Sequence, residues 1–70
     1  MLKFEEIKVA VDWLIENESY KLLQWTVDNF GGMFCYMAHL VETRNVDKFV
    51  KELMEYGLDV QIELVELMYN

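Results

Sequence analysis

Cys35 is the only cysteine in this chain of 70 residues, so no disulfide bond within the chain can hold its fold together. A chain of this length forms one small domain and buries only about 60% of the surface that its extended form exposes. Its stability must therefore come from a dense apolar core, helped by self-association where that core is insufficient. The composition meets this demand, because 54% of the residues are hydrophobic. We predict one domain over residues 1–70.

Two segments have the apolar spacing of amphipathic α-helices, and we predict helices at residues 3–17 and 45–56. Asn45 is a favourable first residue for the second helix. Gly57 suits the left-handed conformation that often follows the end of a helix. The apolar positions are Phe4, Ile7, Val11, Leu14 and Ile15 in the first helix and Val46, Phe49, Val50, Leu53 and Met54 in the second.

The segment after Gly57 is predicted to be a β-strand. Between Leu58 and Leu64 apolar and polar side chains alternate, as they do on a strand with one buried face. From Val65 onward the alternation stops, and a helix becomes the alternative there.

The middle of the chain, residues 20–43, fits two structures, and we predict a β-hairpin. Its two arms, 20–29 and 33–43, are nearly equal in length and rich in residue types that favour strands. Gly31 and Gly32 lie between the arms, and glycine suits a tight hairpin loop. The alternative is two short helices that meet at Gly31, because the apolar residues of the first arm also fit a helical period.

The predicted order of elements is helix, strand, strand, helix, strand, which gives an α+β fold. The simplest arrangement is a three-stranded, mainly antiparallel sheet with both helices on one face. This architecture resembles a ferredoxin-like fold without one outer strand, although no sequence motif of such a family is present. The alternative is an all-α bundle of short helices. The sheet would have free edges, and a free edge is a template for pairing with another chain.

The stretch MFCYMAHLV, residues 33–41, holds the only cysteine, the only histidine and two of the five methionines. On a strand His39 would stand about 13 Å from Cys35, too far to share a metal ion or to act as a nucleophile and its base. On a helix the two residues would be one turn apart. No second cysteine or histidine exists to complete a zinc site. We predict no catalytic residue, no metal and no cofactor.

An apolar contact surface is predicted on the sheet face that points away from the helices. Methionine-rich surfaces adapt to irregular partners, and such a patch on a small domain indicates contact with another protein or a second copy. The alternative is that the C-terminal segment VELMYN covers it. We also predict that Trp13 anchors a partner protein. The alternative is that Trp13 packs with Val9 under a loop or against the C-terminal strand. The predicted residues are Trp13, Leu22, Met33, Cys35, Met37 and Val41.

Thirteen acidic residues against six basic ones give a formal net charge of -7. Such a chain repels nucleic-acid phosphates, so we expect no direct nucleic-acid binding, and its field attracts basic protein surfaces. The alternative is that the charge serves solubility alone. The acidic residues predicted to contact a partner from the two helix faces are Glu5, Asp12, Glu16, Glu52 and Glu55.

Three functions remain as hypotheses. The first is a non-enzymatic protein-binding module, a small acidic inhibitor or adaptor that occupies a basic, nucleic-acid-binding surface of a partner protein. In size and charge it is similar to phage-type inhibitors, among them anti-CRISPR proteins, although no motif supports the likeness. The second is a structural homo-oligomer, such as a homodimer, formed through the sheet edge or the methionine-rich face. The third is an enzyme or metal carrier that uses Cys35 and His39.

The sequence also predicts a cytoplasmic protein without a membrane partner. Glu5 and Glu6 lie where a signal peptide would have its apolar run. The longest uncharged, mostly apolar stretch runs from Phe30 to Val41, well short of the ~20 residues that a membrane span needs. A single cysteine fits a reducing compartment.

Overall fold

The computed structural model describes residues 2–69, and within them the chain forms five α-helices and no β-strand. The predicted α+β fold, with its three-stranded sheet and free sheet edges, is therefore wrong, and the all-α alternative is confirmed. The helices are α1 (Phe4–Asn17), α2 (Ser19–Phe30), α3 (Phe34–Glu42), α4 (Val46–Met54) and α5 (Leu58–Glu66), with 3₁₀ turns at Gly31–Met33 and Leu67–Tyr69.

Helix α1 occupies the centre of the fold and contacts α2, α4, α5 and the C-terminal 3₁₀ turn. It confirms the helix predicted at residues 3–17. Glu6 accepts a hydrogen bond of 2.9 Å at its Oε1 atom from the backbone N–H of Lys3, which satisfies one free donor at the start of the helix. Its buried residues recur at intervals of three and four positions and are Ile7, Ala10, Val11, Leu14 and Ile15.

Helix α2 replaces the first arm of the predicted hairpin. Its buried residues, Leu22, Trp25, Thr26 and Phe30, follow a helical period. Thr26 is fully buried, and its Oγ1 atom donates a hydrogen bond of 2.8 Å to the carbonyl oxygen of Leu22, so burial leaves no unpaired hydroxyl. The strand preference of Trp and Thr is therefore outweighed here by the burial of one helical face.

Gly31 ends α2 in a conformation that other residues adopt only with strain. Its φ is 51° and its ψ is -119°, whereas Gly32, the next residue, has no positive φ. A Cβ atom added at either glycine would meet no atom of the surrounding fold within 4 Å, apart from its immediate chain neighbours. The two glycines therefore differ in backbone conformation and not in the space around them.

This difference predicts unequal effects of alanine at the two positions. Gly31→Ala should lower the free energy of unfolding by about 1–3 kcal/mol, because alanine is strained at this φ. Gly32→Ala, the matched control, should leave stability unchanged or raise it by up to about 1 kcal/mol. Urea unfolding followed by circular dichroism measures both. Equal midpoints for the two variants would contradict the left-handed turn at Gly31.

Helices α3 and α4 are joined by a tight turn in which Arg44, and not a glycine, takes the left-handed conformation, with φ of 58°. The backbone N–H of Asn45 donates to the carbonyl of Leu40 at 2.8 Å, and that of Arg44 to Val41 at 3.1 Å. These are the two hydrogen bonds of a Schellman motif. Asn45 directly precedes α4, which confirms the helix predicted at residues 45–56, although its side chain makes no capping hydrogen bond.

Helix α5 forms where the third strand was predicted. Gly57 has φ of -68° and ψ of 163°, so it precedes α5 in an extended conformation and is not the left-handed cap of α4 that the sequence suggested. The buried residues of α5 are Gln61 and Leu64. The alternation of apolar residues between 58 and 64 therefore did not mark the buried face.

One hydrophobic cluster joins all five helices, and Phe30 lies among its aromatic side chains. The ring of Phe30 makes edge-to-face contacts with Trp25, Phe49 and Tyr56 at centroid distances of 5.6, 6.4 and 5.0 Å. The indole Nε1 of Trp25 also donates a hydrogen bond of 2.8 Å to Oε1 of Glu63, which ties α2 to α5. These contacts fix the positions of the surfaces described next.

Candidate functional site

Three of the residues predicted on the apolar contact surface belong to the core. Leu22 and Met37 are fully buried and Val41 nearly so. On the predicted strand Met37 and Val41 shared a face with Met33 and Cys35. On a helix Met37, Leu40 and Val41 lie on one side and pack inward, because they are three and four positions apart. Their burial removes them from any contact with a partner.

Trp13 lies exposed on the outer side of α1 beside Val9, one turn earlier. The side chain of Val9 is 60% exposed. Trp13 is 41% exposed, and the described residues form no C-terminal strand against which the two could pack. Trp13 is separated in sequence from the other exposed apolar residues on α3 and α5.

An exposed apolar surface surrounds the start of α3. We name it the apolar tip, and it consists of Met33, Phe34, Cys35 and Tyr36. The side chains of Met33, Phe34 and Tyr36 are 42%, 40% and 39% exposed, and Cys35 is exposed as well. Four successive helical positions point in different directions, so the core can cover only part of this first turn.

The apolar tip lies in an uncharged part of the chain, since residues 30–41 contain no Asp, Glu, Lys or Arg. Its contact with the rest of the fold includes Tyr56, whose hydroxyl lies 3.9 Å from Sδ of Met33. The C-terminal 3₁₀ turn, Leu67–Tyr69, packs against α1 and α5, and Met33 and Cys35 stay exposed. The alternative in which the C-terminal segment covers them is wrong.

Cys35 and His39 are one turn apart on the exposed side of α3, as the helical alternative implied. Between residues 2 and 69 no hydrogen bond joins the two side chains, and no group of three or more His, Cys, Asp or Glu residues is arranged to hold a metal ion.

The acidic face predicted on the first helix, α1, is partly neutralised. Lys8 lies 3.2 Å from Asp12 and 3.9 Å from Asp47, and Arg44 pairs with Glu16. The hydrogen bond and the charge of Asp12 raise the pKa of Lys8 above its ordinary value. Two of the three predicted carboxylates on α1 therefore already have a cationic partner. Of the others, Glu5 and Glu55 are exposed and Glu52 is partly buried.

A surface cleft of about 310 Å³ lies at this ion-pair network. Its charged residues are already partners of one another or of Glu16, so they hold the turn between α3 and α4 against α1. The lining is mostly polar and gives an apolar ligand little to bury. The residues around the cleft are Lys8, Asp12, Arg44, Asn45, Val46 and Asp47.

A second acidic surface, which the sequence analysis missed, lies on α5. The exposed residues of this helix are Leu58, Asp59, Ile62, Glu63 and Glu66, and together they define the α5 surface. Residues 52–70 contain five of the thirteen acids and none of the six bases. The strand prediction hid this surface because it placed Leu58 and Ile62 in the core. A helical projection of the same residues puts them beside the carboxylates.

None of the helices in the described part of the chain combines the length and hydropathy that crossing a bilayer requires. No protein-family model, no curated protein and no solved structure matches this chain. Its function must therefore be argued from the two exposed apolar surfaces and the distribution of charge.

Proposed function

We propose that this chain is a non-enzymatic structural protein that assembles with copies of itself through the apolar tip. The supporting observation is that Met33, Phe34 and Tyr36 are each about two fifths exposed within a stretch that contains no charged residue. Contact between two such tips buries apolar side chains from a stretch that itself carries no carboxylate, although the chain as a whole is strongly acidic. The sheet edge, the other route considered for self-association, does not exist in this fold.

The size of the apolar tip sets the expected strength of this assembly. If a whole aromatic side chain has ~200 Å² of surface, each large side chain of the tip leaves roughly 80 Å² exposed. Because the side chains of the tip point in different directions, one contact can bury at most about 300 Å² per subunit, against about 800 Å² in a stable interface. Association should therefore be weak and reversible, and visible only at micromolar concentrations or above.

Sedimentation velocity over a wide concentration range tests the proposal. The parent protein should sediment faster as concentration rises, and Phe34→Ser should remain monomeric, because it removes an exposed apolar side chain from the tip. Tyr20→Ser is the matched control, since Tyr20 is 87% exposed on α2 and lies outside the tip. A parent protein that stays monomeric, or a Phe34→Ser variant that associates as the parent does, would contradict the proposal.

A second candidate function is a small acidic inhibitor or adaptor that occupies a basic surface of another cytoplasmic protein. The net charge of -7 supports this proposal, as does the excess of acids in residues 52–70. The α1 carboxylates Asp12 and Glu16 are poorer contact candidates, because Lys8 and Arg44 already pair with them. Binding that weakens steeply with added salt would support this function.

The proposal excludes a chemical role for Cys35 and His39. A Cys35→Ala, His39→Ala double variant should sediment as the parent protein does, because alanine keeps the tip largely apolar. Loss of assembly in this variant would indicate that the pair contributes more than apolar surface.

A further inference from the structure

We infer that the α5 surface docks onto an amphipathic helix of a different protein whose apolar stripe is flanked by lysine or arginine. The inference concerns residues other than the apolar tip and does not depend on self-assembly.

The exposed side of α5 combines an apolar strip with an acidic one. Leu58 and Ile62 are one turn apart and 43% and 41% exposed, so their side chains form a continuous apolar strip. Asp59 and Glu66 project beside Ile62, at about 40–60° from it around the helix axis. The surface is therefore about one helix wide, which suits the apolar stripe of a second helix.

Charge decides between a foreign helix and a second copy of this chain. A two-fold contact through α5 would bring the acidic set Asp59, Glu63 and Glu66 against the same acidic set of the copy, with no base between residues 52 and 70 to offset them. Such like-charge contacts are unfavourable, whereas a basic partner would be attracted by the same carboxylates. The α5 surface therefore disfavours contact with a second copy of this chain. It favours a helix that carries both apolar and basic residues.

Helix α5 is also held in place before any partner arrives. Glu63 accepts the indole N–H of Trp25, and Leu64 and Gln61 are buried on the opposite side of the helix. The docking surface is thus preorganised, so less conformational entropy is lost when a partner binds. Because the exposed apolar area is small, the complex should be in the micromolar range.

The test uses synthetic helical peptides as probes. The first has leucines on one stripe and lysines on both sides of it. The second has glutamates in place of the lysines, and the third has serines in place of the leucines. Backbone amide shifts of the labelled protein locate the contact, and fluorescence anisotropy of the labelled peptide gives the affinity.

We expect only the first peptide to bind well, with amide shifts concentrated between residues 58 and 66. Ile62→Ser should weaken the binding of the first peptide about tenfold, the factor expected for losing one such apolar contact. Asp59→Asn combined with Glu66→Gln should reduce the dependence of affinity on salt. Val9→Ser is the matched control, because Val9 is equally apolar, more exposed and on α1. Phe34→Ser should also bind as the parent does.

Three results would overturn the inference. The serine peptide could bind as tightly as the leucine peptide, which would show that charge alone drives the contact. The amide shifts could fall on α1 or spread over the whole surface. Ile62→Ser could abolish self-association of the protein and leave peptide binding unchanged, in which case the occupant of the α5 surface is a second copy.

Discussion

Phe30→Ala is expected to lower the free energy of unfolding by about 3–5 kcal/mol, the range for removing a buried aromatic side chain. The side chain of Phe30 is 5% exposed and contacts the rings of Trp25, Phe49 and Tyr56. Alanine would leave a cavity among helices α2 and α4 and the turn that precedes α5. A domain of this size has a total stability of only about 4–10 kcal/mol, so much of the protein should be unfolded in mild denaturant.

Phe30→Leu separates the loss of volume from the loss of the ring contacts. Leucine fills most of the space, and we expect a cost of about 1–3 kcal/mol from imperfect packing and the missing aromatic contacts. Val27→Ala, an exposed position on the same helix, should change stability by less than about 0.5 kcal/mol. Urea unfolding followed by tryptophan fluorescence gives all three values. A Phe30→Ala variant as stable as Val27→Ala would show that Phe30 is not a centre of the core.

The two helices that the sequence predicted, α1 and α4, have only apolar buried residues, although the same is true of α3, which the sequence predicted as a strand. In α4, for example, Phe49, Val50 and Leu53 are buried at helical spacing and no polar residue interrupts them. In α2 the buried set includes Thr26, and the neighbouring Trp25 has a strand preference of its own. Local preference and periodicity then pointed to different structures. Only the contacts of α2 with α1 and α3 decide between them, and a single sequence does not specify those contacts.

Helix α5 shows a stronger conflict between pattern and structure. Its core position 61 holds a glutamine, whereas the apolar residues Leu58 and Ile62 are exposed. The alternation of apolar and polar residues in this segment therefore predicts that the side with Leu58 and Ile62 is buried, whereas the side with Gln61 is buried. The same inversion explains why the α5 surface was missed: its apolar residues were counted as core, and its carboxylates as an ordinary solvated face.

Some residues of the predicted apolar contact surface are exposed and others are buried, and the reason is geometric. Residues 33, 35 and 37 share a face on a strand, but on α3 residue 37 turns into the core. Met33 lies in the 3₁₀ turn before α3 and Cys35 in the first turn of α3, and both are exposed. Phe34 and Tyr36, which complete the apolar tip, could be recognised only once α3 was known to begin at Phe34.

Gln61 is the site of the second large effect that we expect. Its side chain is 5% exposed, and Nε2 donates a hydrogen bond of 3.2 Å to the carbonyl oxygen of Tyr56. Its Oε1 atom is buried and has no hydrogen-bond partner. Gln61→Glu would replace the donor by a second acceptor and place a negative charge where no donor is available. At neutral pH we expect a loss of about 3 kcal/mol or more, because a buried charge without a partner is costly.

The pH dependence of this loss identifies its cause. Burial disfavours the charged form, so the pKa of the introduced carboxyl should be higher in the folded chain than in the unfolded chain. The folded state then binds the proton more tightly than the unfolded state does. The loss relative to the parent protein should be smallest below the unfolded-state pKa of about 4.3 and should grow as pH rises through the folded-state pKa.

Gln61→Met is the matched control, because methionine has a similar shape and no charge. It removes the unpaired Oε1 atom but also the donor to Tyr56, and these two effects should offset each other to within about 1 kcal/mol at every pH. Urea unfolding of both variants and the parent between mildly acidic and neutral pH therefore isolates the charge. If the difference between Gln61→Glu and Gln61→Met did not change with pH, the introduced carboxylate would be reaching water, and α5 would not hold residue 61 in the core.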